Sequence, residues 1–147
     1  MFRFKLQTIL DVRKIMENKI LIDFSEHQKA VRQEEETLQT IHRQKSGLMD
    51  ELRGLQGKKV NVTEITDNAL RMKACRESEE IQAERLREAT EKAEKKREEL
   101  LEAAKKRKAM EILKAKKLDQ YEFDQNMKEQ SAIDEMAIVR HKRGEEE

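Results

Sequence analysis

Residues 6–62 read LQTIL DVRKIMENKI LIDFSEHQKA VRQEEETLQT IHRQKSGLMD ELRGLQGKKV NV, and their spacing decides the fold. Stepping alternately by four and three from Leu6 passes through Leu10, Arg13, Glu17, Ile20, Phe24, His27, Val31, Glu34, Leu38, Ile41, Lys45, Leu48, Leu52, Leu55, Lys59 and Val62. Eleven of these seventeen positions are apolar, and the step does not slip across eight heptads. That period is the inward seam of a coiled coil. Gln, Glu, Lys and Arg fill most positions between, residues that favour helix and tolerate water.

Composition agrees. Of the 147 residues 43% are charged and 3% aromatic, with no proline, no tryptophan and four glycines. Ordinary domains carry roughly 25% charged residues. So polar a chain folds by lining its apolar groups along one stripe, and the sustained period separates it from a disordered chain. The first turns carry a second apolar face as well: Phe2, Phe4, Ile9, Val12, Ile15, Met16, Leu21 and Ile22. Either another element packs there or the C-terminus folds over it.

The seam is next interrupted at Gly54, Gly57 and Asn61-Val62-Thr63-Glu64, where paired glycines weaken a helix and Asn61 with Glu64 has the spacing of a capping box. The pattern predicts one domain over 1–147: helix one at about 3–54, a turn at about 55–63, helix two at about 64–140 and a frayed tail at 141–147. Gly47 is read as tolerated inside helix one, since the seam continues through Leu48. The expected fold is an all-α antiparallel two-helix coiled-coil hairpin with a longer second helix. In helix two, Ile65, Met72, Leu86, Ala93 and Leu100 repeat every seven residues with Glu79 intruding, and Ala69, Ala83, Thr90 and Ala104 are assigned to the alternate positions. Glu88–Lys92, Glu91–Lys95 and Glu102–Lys106 have favourable i,i+4 order. After Arg107 no single stripe fits. At 1.5 Å per residue the helices would be roughly 75–80 Å and 110 Å long. A turn centred near residue 59 sets residue 2 opposite about 116, with 118–140 overhanging.

The function classes narrow by elimination. A net charge of +1 argues against a purely electrostatic nucleic-acid binder. His27, His42 and His141 are scattered and give no metal-ligand set. His27 and Glu34 lie seven apart on one face, either as a register-fixing polar layer or as solvated defects in the seam. The one cysteine, Cys75, has neighbouring charges of both signs and reads as structural or incidental. Lys105–Lys117 holds seven basic residues against the single acid Glu111 and lacks interleaved aromatics. No phosphate loop or catalytic constellation stands out, so catalytic residues, cofactors and metals are all expected to be none, and the protein is expected not to be an enzyme. No stretch approaches the ~20 apolar residues of a membrane span or a signal-peptide run, so a soluble cytoplasmic protein is expected.

Two ends of the chain resemble the FliJ family, the coiled-coil component of the bacterial flagellar export apparatus. The N-terminal likeness is Phe2-x-Phe4-x-Leu6-x-x-Ile9-Leu10-x-x-Arg13, then Glu17. The C-terminal likeness is Glu111-x-Leu113, Lys117, Tyr121, Glu129-Gln130, Asp134-Glu135 and Arg140. The middle matches only as a generic coiled coil. The resemblance implies an antiparallel hairpin similar to the central stalk of rotary ATPases. It would sit in the pore of the hexameric export ATPase FliI, promote ring assembly, engage the export gate protein FlhA and escort substrate chaperones at the cytoplasmic face of the inner membrane, without hydrolysing ATP. The residues expected to bind partners are Phe2, Phe4, Leu6, Ile9, Leu118, Tyr121, Glu129, Gln130, Asp134, Glu135 and Arg140, with no nucleic-acid partner and membrane contact only through other proteins. The alternatives are a self-associating structural coiled coil and a basic-helix binder of nucleic acid or membrane through 105–117.

Overall fold

A computed structural model describes residues 2–55 and 61–144, with side chains as far as residue 138. Two helices, α1 (Gln7–Leu55) and α2 (Val62–Gly144), pack against each other as a helical hairpin with the second arm longer. No strand occurs among the described residues. The antiparallel coiled-coil hairpin expected from the heptads is the fold.

The helix limits differ from expectation in instructive ways. Helix α1 begins at Gln7, not at residue 3, because residues 2–6 enter as a short turn in which Gln7 N–H donates to the Phe4 carbonyl at 3.1 Å. Helix α2 begins at Val62. Its cap is Asn61, whose side-chain oxygen accepts from Thr63 N–H at 3.2 Å, satisfying a donor that the first turn would leave orphaned. Helix α2 continues to Gly144, beyond the expected limit at 140. Gly57 and most of the expected turn, residues 56–60, lie outside the described residues, as do 145–147.

Along α1 the alternating four–three step predicts burial almost residue by residue. From Leu10 to Leu55 every seam position is buried or half-buried except Leu52, at 36% exposure, and nearly every position between is exposed. The chain divides into two compact units, Met1–Glu17 with Glu102–Glu147, and Asn18–Leu101.

In the unit 18–101 the seam is polar at its deepest points. Asn68 is 6% exposed and Gln82 3%, and each donates its amide to an α1 backbone carbonyl at 3.1 Å, Asn68 to Leu48 and Gln82 to Glu34. Gln82 donates to the Glu34 carboxylate as well. The expected alternates Ala69, Ala83 and Thr90 are exposed. The seam takes the other phase through Asn68, Cys75, Gln82, Ala89 and Lys96, which are all buried or half-buried. Both phases share Met72, Glu79, Leu86, Ala93 and Leu100, so the repeat of seven does not distinguish them. Counting apolar residues favours the alanines, but the facing helix offers carbonyl and carboxylate acceptors to which the Asn68 and Gln82 amides donate and alanine cannot. The intruding Lys45 and Glu79 meet across the seam at 2.5 Å. His27 bonds the Asp23 carbonyl of its own turn, so Glu34 shares its polar layer with Gln82 and not with His27.

In the unit formed by 1–17 and 102–147, the stripe after Arg107 is not lost. Met110, Lys114, Leu118, Tyr121 and Gln125 are all half-buried. Two successive steps of four, 110 to 114 to 118, break the four–three alternation, which is a stutter of the kind that locally unwinds a coiled coil. That irregularity hides the stripe from a strict heptad count. Glu102 pairs with Lys105 at 2.9 Å, one residue short of the expected Lys106.

Candidate functional site

The terminal unit is built around Leu10, 1% exposed, and an ion cluster. Burying a leucine contributes about 1.5–3 kcal/mol, a substantial anchor for so thin a core. Glu17, a polar intrusion in the α1 seam, receives a hydrogen bond from Arg107 Nε, and Arg107 also donates to Glu111 at 2.7 Å. The Glu17 hydrogen bond, followed by the Glu111 one, holds the Arg107 guanidinium above its usual value. Lys14 reaches Glu111 at 3.8 Å, and Lys114 donates to the Gln7 side-chain oxygen at 2.8 Å. Arg13, also on the seam, has its Nε buried without a hydrogen-bond partner among the described residues. Three of the basic residues in 105–117 are therefore engaged in local contacts: Lys105, Arg107 and Lys114.

Beyond the cluster, the N-terminal entry lies over α2. The Phe2 and Tyr121 rings stand 5.6 Å apart at 51°, a tilted aromatic pair. Residue 2 thus faces 121 and not 116. Phe2, Phe4, Leu6, Leu113 and Tyr121 line one open groove of about 880 Å³. Arg3, Lys5 and Lys117 line it too, with Asp124 as the single carboxylate.

The residues marked for partner binding therefore separate into groups. Phe2, Phe4, Leu6 and Tyr121 come together at the groove, and Leu118 is half-buried one turn before Tyr121. Ile9 lies outside the groove lining, 45% exposed, with Val12 and Met16 following it on the same helical face, also exposed. Among the described residues the second apolar face is therefore covered in part: Phe2 and Phe4 are half-buried, while Ile9, Val12, Ile15, Met16, Leu21 and Ile22 are exposed. Glu129, Gln130, Asp134 and Glu135 lie on α2 within a stretch, 126–138, that is exposed throughout. The Arg140 side chain lies outside the described residues. Gln120 and Asp124 line the groove and were not singled out by sequence; a correct register for α2 past Arg107 would have placed them beside Tyr121.

Among the described residues, no group of three or more His, Cys, Asp or Glu side chains is arranged to hold a metal ion, and no helix is long and apolar enough to cross a membrane. Comparison with curated proteins and with solved structures returns no match. A family model described as flagellar FliJ protein matches residues 2–146, nearly the whole chain. The chain therefore belongs to the FliJ family, and its role is associated with flagellar protein export.

Proposed function

We propose that this chain binds the hexameric export ATPase through its terminal unit, promotes ring assembly and hydrolysis, links the ring to the export gate protein FlhA and escorts substrate chaperones. It acts as a non-enzymatic partner, held at the cytoplasmic face of the inner membrane by those proteins. The observation that supports docking at this end is the junction after Gln125. Up to Gln125, α2 is packed; from 126 to 138 every residue is exposed, including Met127, Ile133, Met136 and Ile138 at 54–60%. A single helix with exposed apolar groups and no packed neighbour among the described residues gains by entering a partner's surface. A partner that binds only the folded hairpin also stabilises it by mass action.

The test is the hydrolysis rate of the cognate export ATPase with and without this chain, with ring counts by electron microscopy. Faster hydrolysis and more hexamers are expected, both lost on deleting 118–140 and reduced by Tyr121→Ala. Unchanged hydrolysis and unchanged ring counts would overturn the reading. A self-associating coiled coil is the second reading, favoured by the exposed stripe Ile9, Val12 and Met16; concentration-dependent sedimentation without any ATPase would support it.

A further inference from the structure

The groove at Phe2 and Tyr121 has two properties that together name an occupant. Its walls are apolar, with Phe2, Phe4, Leu6, Leu113 and Tyr121 contributing. Its charges are lopsided: Arg3, Lys5 and Lys117 stand against Asp124 alone, and Lys114 flanks the adjoining cleft beside Phe4. Among the described residues none of these four cations makes an ion pair, and the partner of Lys114 is the neutral Gln7 amide. Elsewhere in the same unit cations do find carboxylates, as Lys14, Lys105 and Arg107 show. In a chain of net charge +1, unpaired cations gathered around an apolar cleft are a local surplus, and low-dielectric walls focus its field.

We infer that this groove seats an acidic protein segment carrying an aromatic or aliphatic anchor. The inference deepens the reading of the terminal unit as a docking end and rests on it for that choice of end. The groove is partly open to solvent, so it covers one face of an extended or helical peptide and does not enclose a small molecule, which needs 70–90% of its surface buried. Nucleic acid fits less well, since the Phe2 and Tyr121 rings are tilted against each other and half-buried and offer no free pair of flat faces for base stacking. A lipid surface fits less well too, because it is met by apolar side chains projecting from an amphipathic face. Here the rings are half-buried in a cleft.

The experiment titrates the full chain into a fluorescein-labelled synthetic peptide of Glu and Asp residues flanking a Leu-Phe pair, read by fluorescence polarisation. Saturable binding that weakens with salt is expected. Lys5→Glu with Lys117→Glu should weaken it at least tenfold, and Phe2→Ala should weaken it at unchanged salt dependence. Lys92→Glu with Lys95→Glu, exposed sites in the other unit, should leave it unchanged, as circular dichroism should show all variants equally helical. A peptide with Lys in place of the acids should not bind. Absence of binding, or equal binding by the Lys5/Lys117 variant, would overturn the inference. So would heparin or phosphatidylglycerol vesicles held more tightly than the peptide through the same two lysines. No ATPase is present, so failure here leaves the stimulation assay to judge the docking reading separately.

Discussion

Gln82 donates from its side-chain amide to the Glu34 backbone carbonyl at 3.1 Å and to the Glu34 carboxylate, joining residues 48 apart in sequence. At 3% exposure it is the most deeply buried of the described residues in the unit 18–101, and it is polar. Three of the intrusions in the α1 seam are thus answered from α2, Glu17 by Arg107, Glu34 by Gln82 and Lys45 by Glu79, whereas His27 bonds within its own turn and Arg13 Nε has no hydrogen-bond partner among the described residues. Matched polar layers of this kind fix the register of an antiparallel pair, because a slip by one heptad leaves each of them without its partner.

Gln82→Leu should destabilise the hairpin by about 1–3 kcal/mol, since it strands the Glu34 carboxylate against an apolar side chain. Adding Glu34→Leu should restore or exceed the original stability, as an apolar layer replaces a buried polar one. Urea melts of the single and double variants check the stability. Sedimentation of the double variant should show new associated species, the consequence of losing a register determinant.

Glu79 gives the unit a pH dependence of defined sign. The Lys45 hydrogen bond, ahead of the Lys45 and His42 charges, lowers its carboxyl below the ordinary 4.5. A carboxyl whose value is lower when folded contributes its stability above the unfolded value and loses it as pH falls through the folded one. Glu79→Gln should therefore lower the thermal midpoint at neutral pH, and the difference from the unsubstituted chain should shrink as the pH falls below the ordinary 4.5. Midpoints measured at pH 7, 5, 4 and 3 by circular dichroism decide it; a difference independent of pH would show that the Lys45 contact contributes nothing through charge.

Gly47 sits inside α1 with nothing within 4 Å of where a Cβ would stand and without positive φ. Gly47→Ala should stabilise the chain by about 0.5–1 kcal/mol through reduced unfolded-state freedom alone. A shift in denaturation midpoint at unchanged slope is the expected readout.

Truncation after Gln125 should leave the thermal midpoint nearly unchanged, because 126–138 contributes no buried residue. Truncation after Lys117 should lower it, because Leu118, Tyr121 and the Phe2 ring contact go with it. If both truncations abolish ATPase stimulation while only the second lowers the midpoint, loss of function is separated from loss of fold.

The α1 seam, the hairpin and the Asn61 cap were legible in the sequence because each depends on spacing within one segment. A period of seven in α1 has one apolar solution, and its burial follows residue by residue. The groove was half legible: Phe2, Phe4, Leu6 and Tyr121 stood out, but no spacing set residue 2 opposite 121.

The sequence by itself determined that two long helices form and which face of the first turns inward, since local period and propensity suffice for both. Only the tertiary structure decided the phase of α2. Asn68 and Gln82 won over Ala69 and Ala83 because the acceptors they use lie on the other helix, twenty and forty-eight residues away. It also decided that Arg3, Lys5 and Lys117 share one cleft beside three aromatic rings, since charge surplus is a property of neighbours in space and the chain lists only neighbours in order.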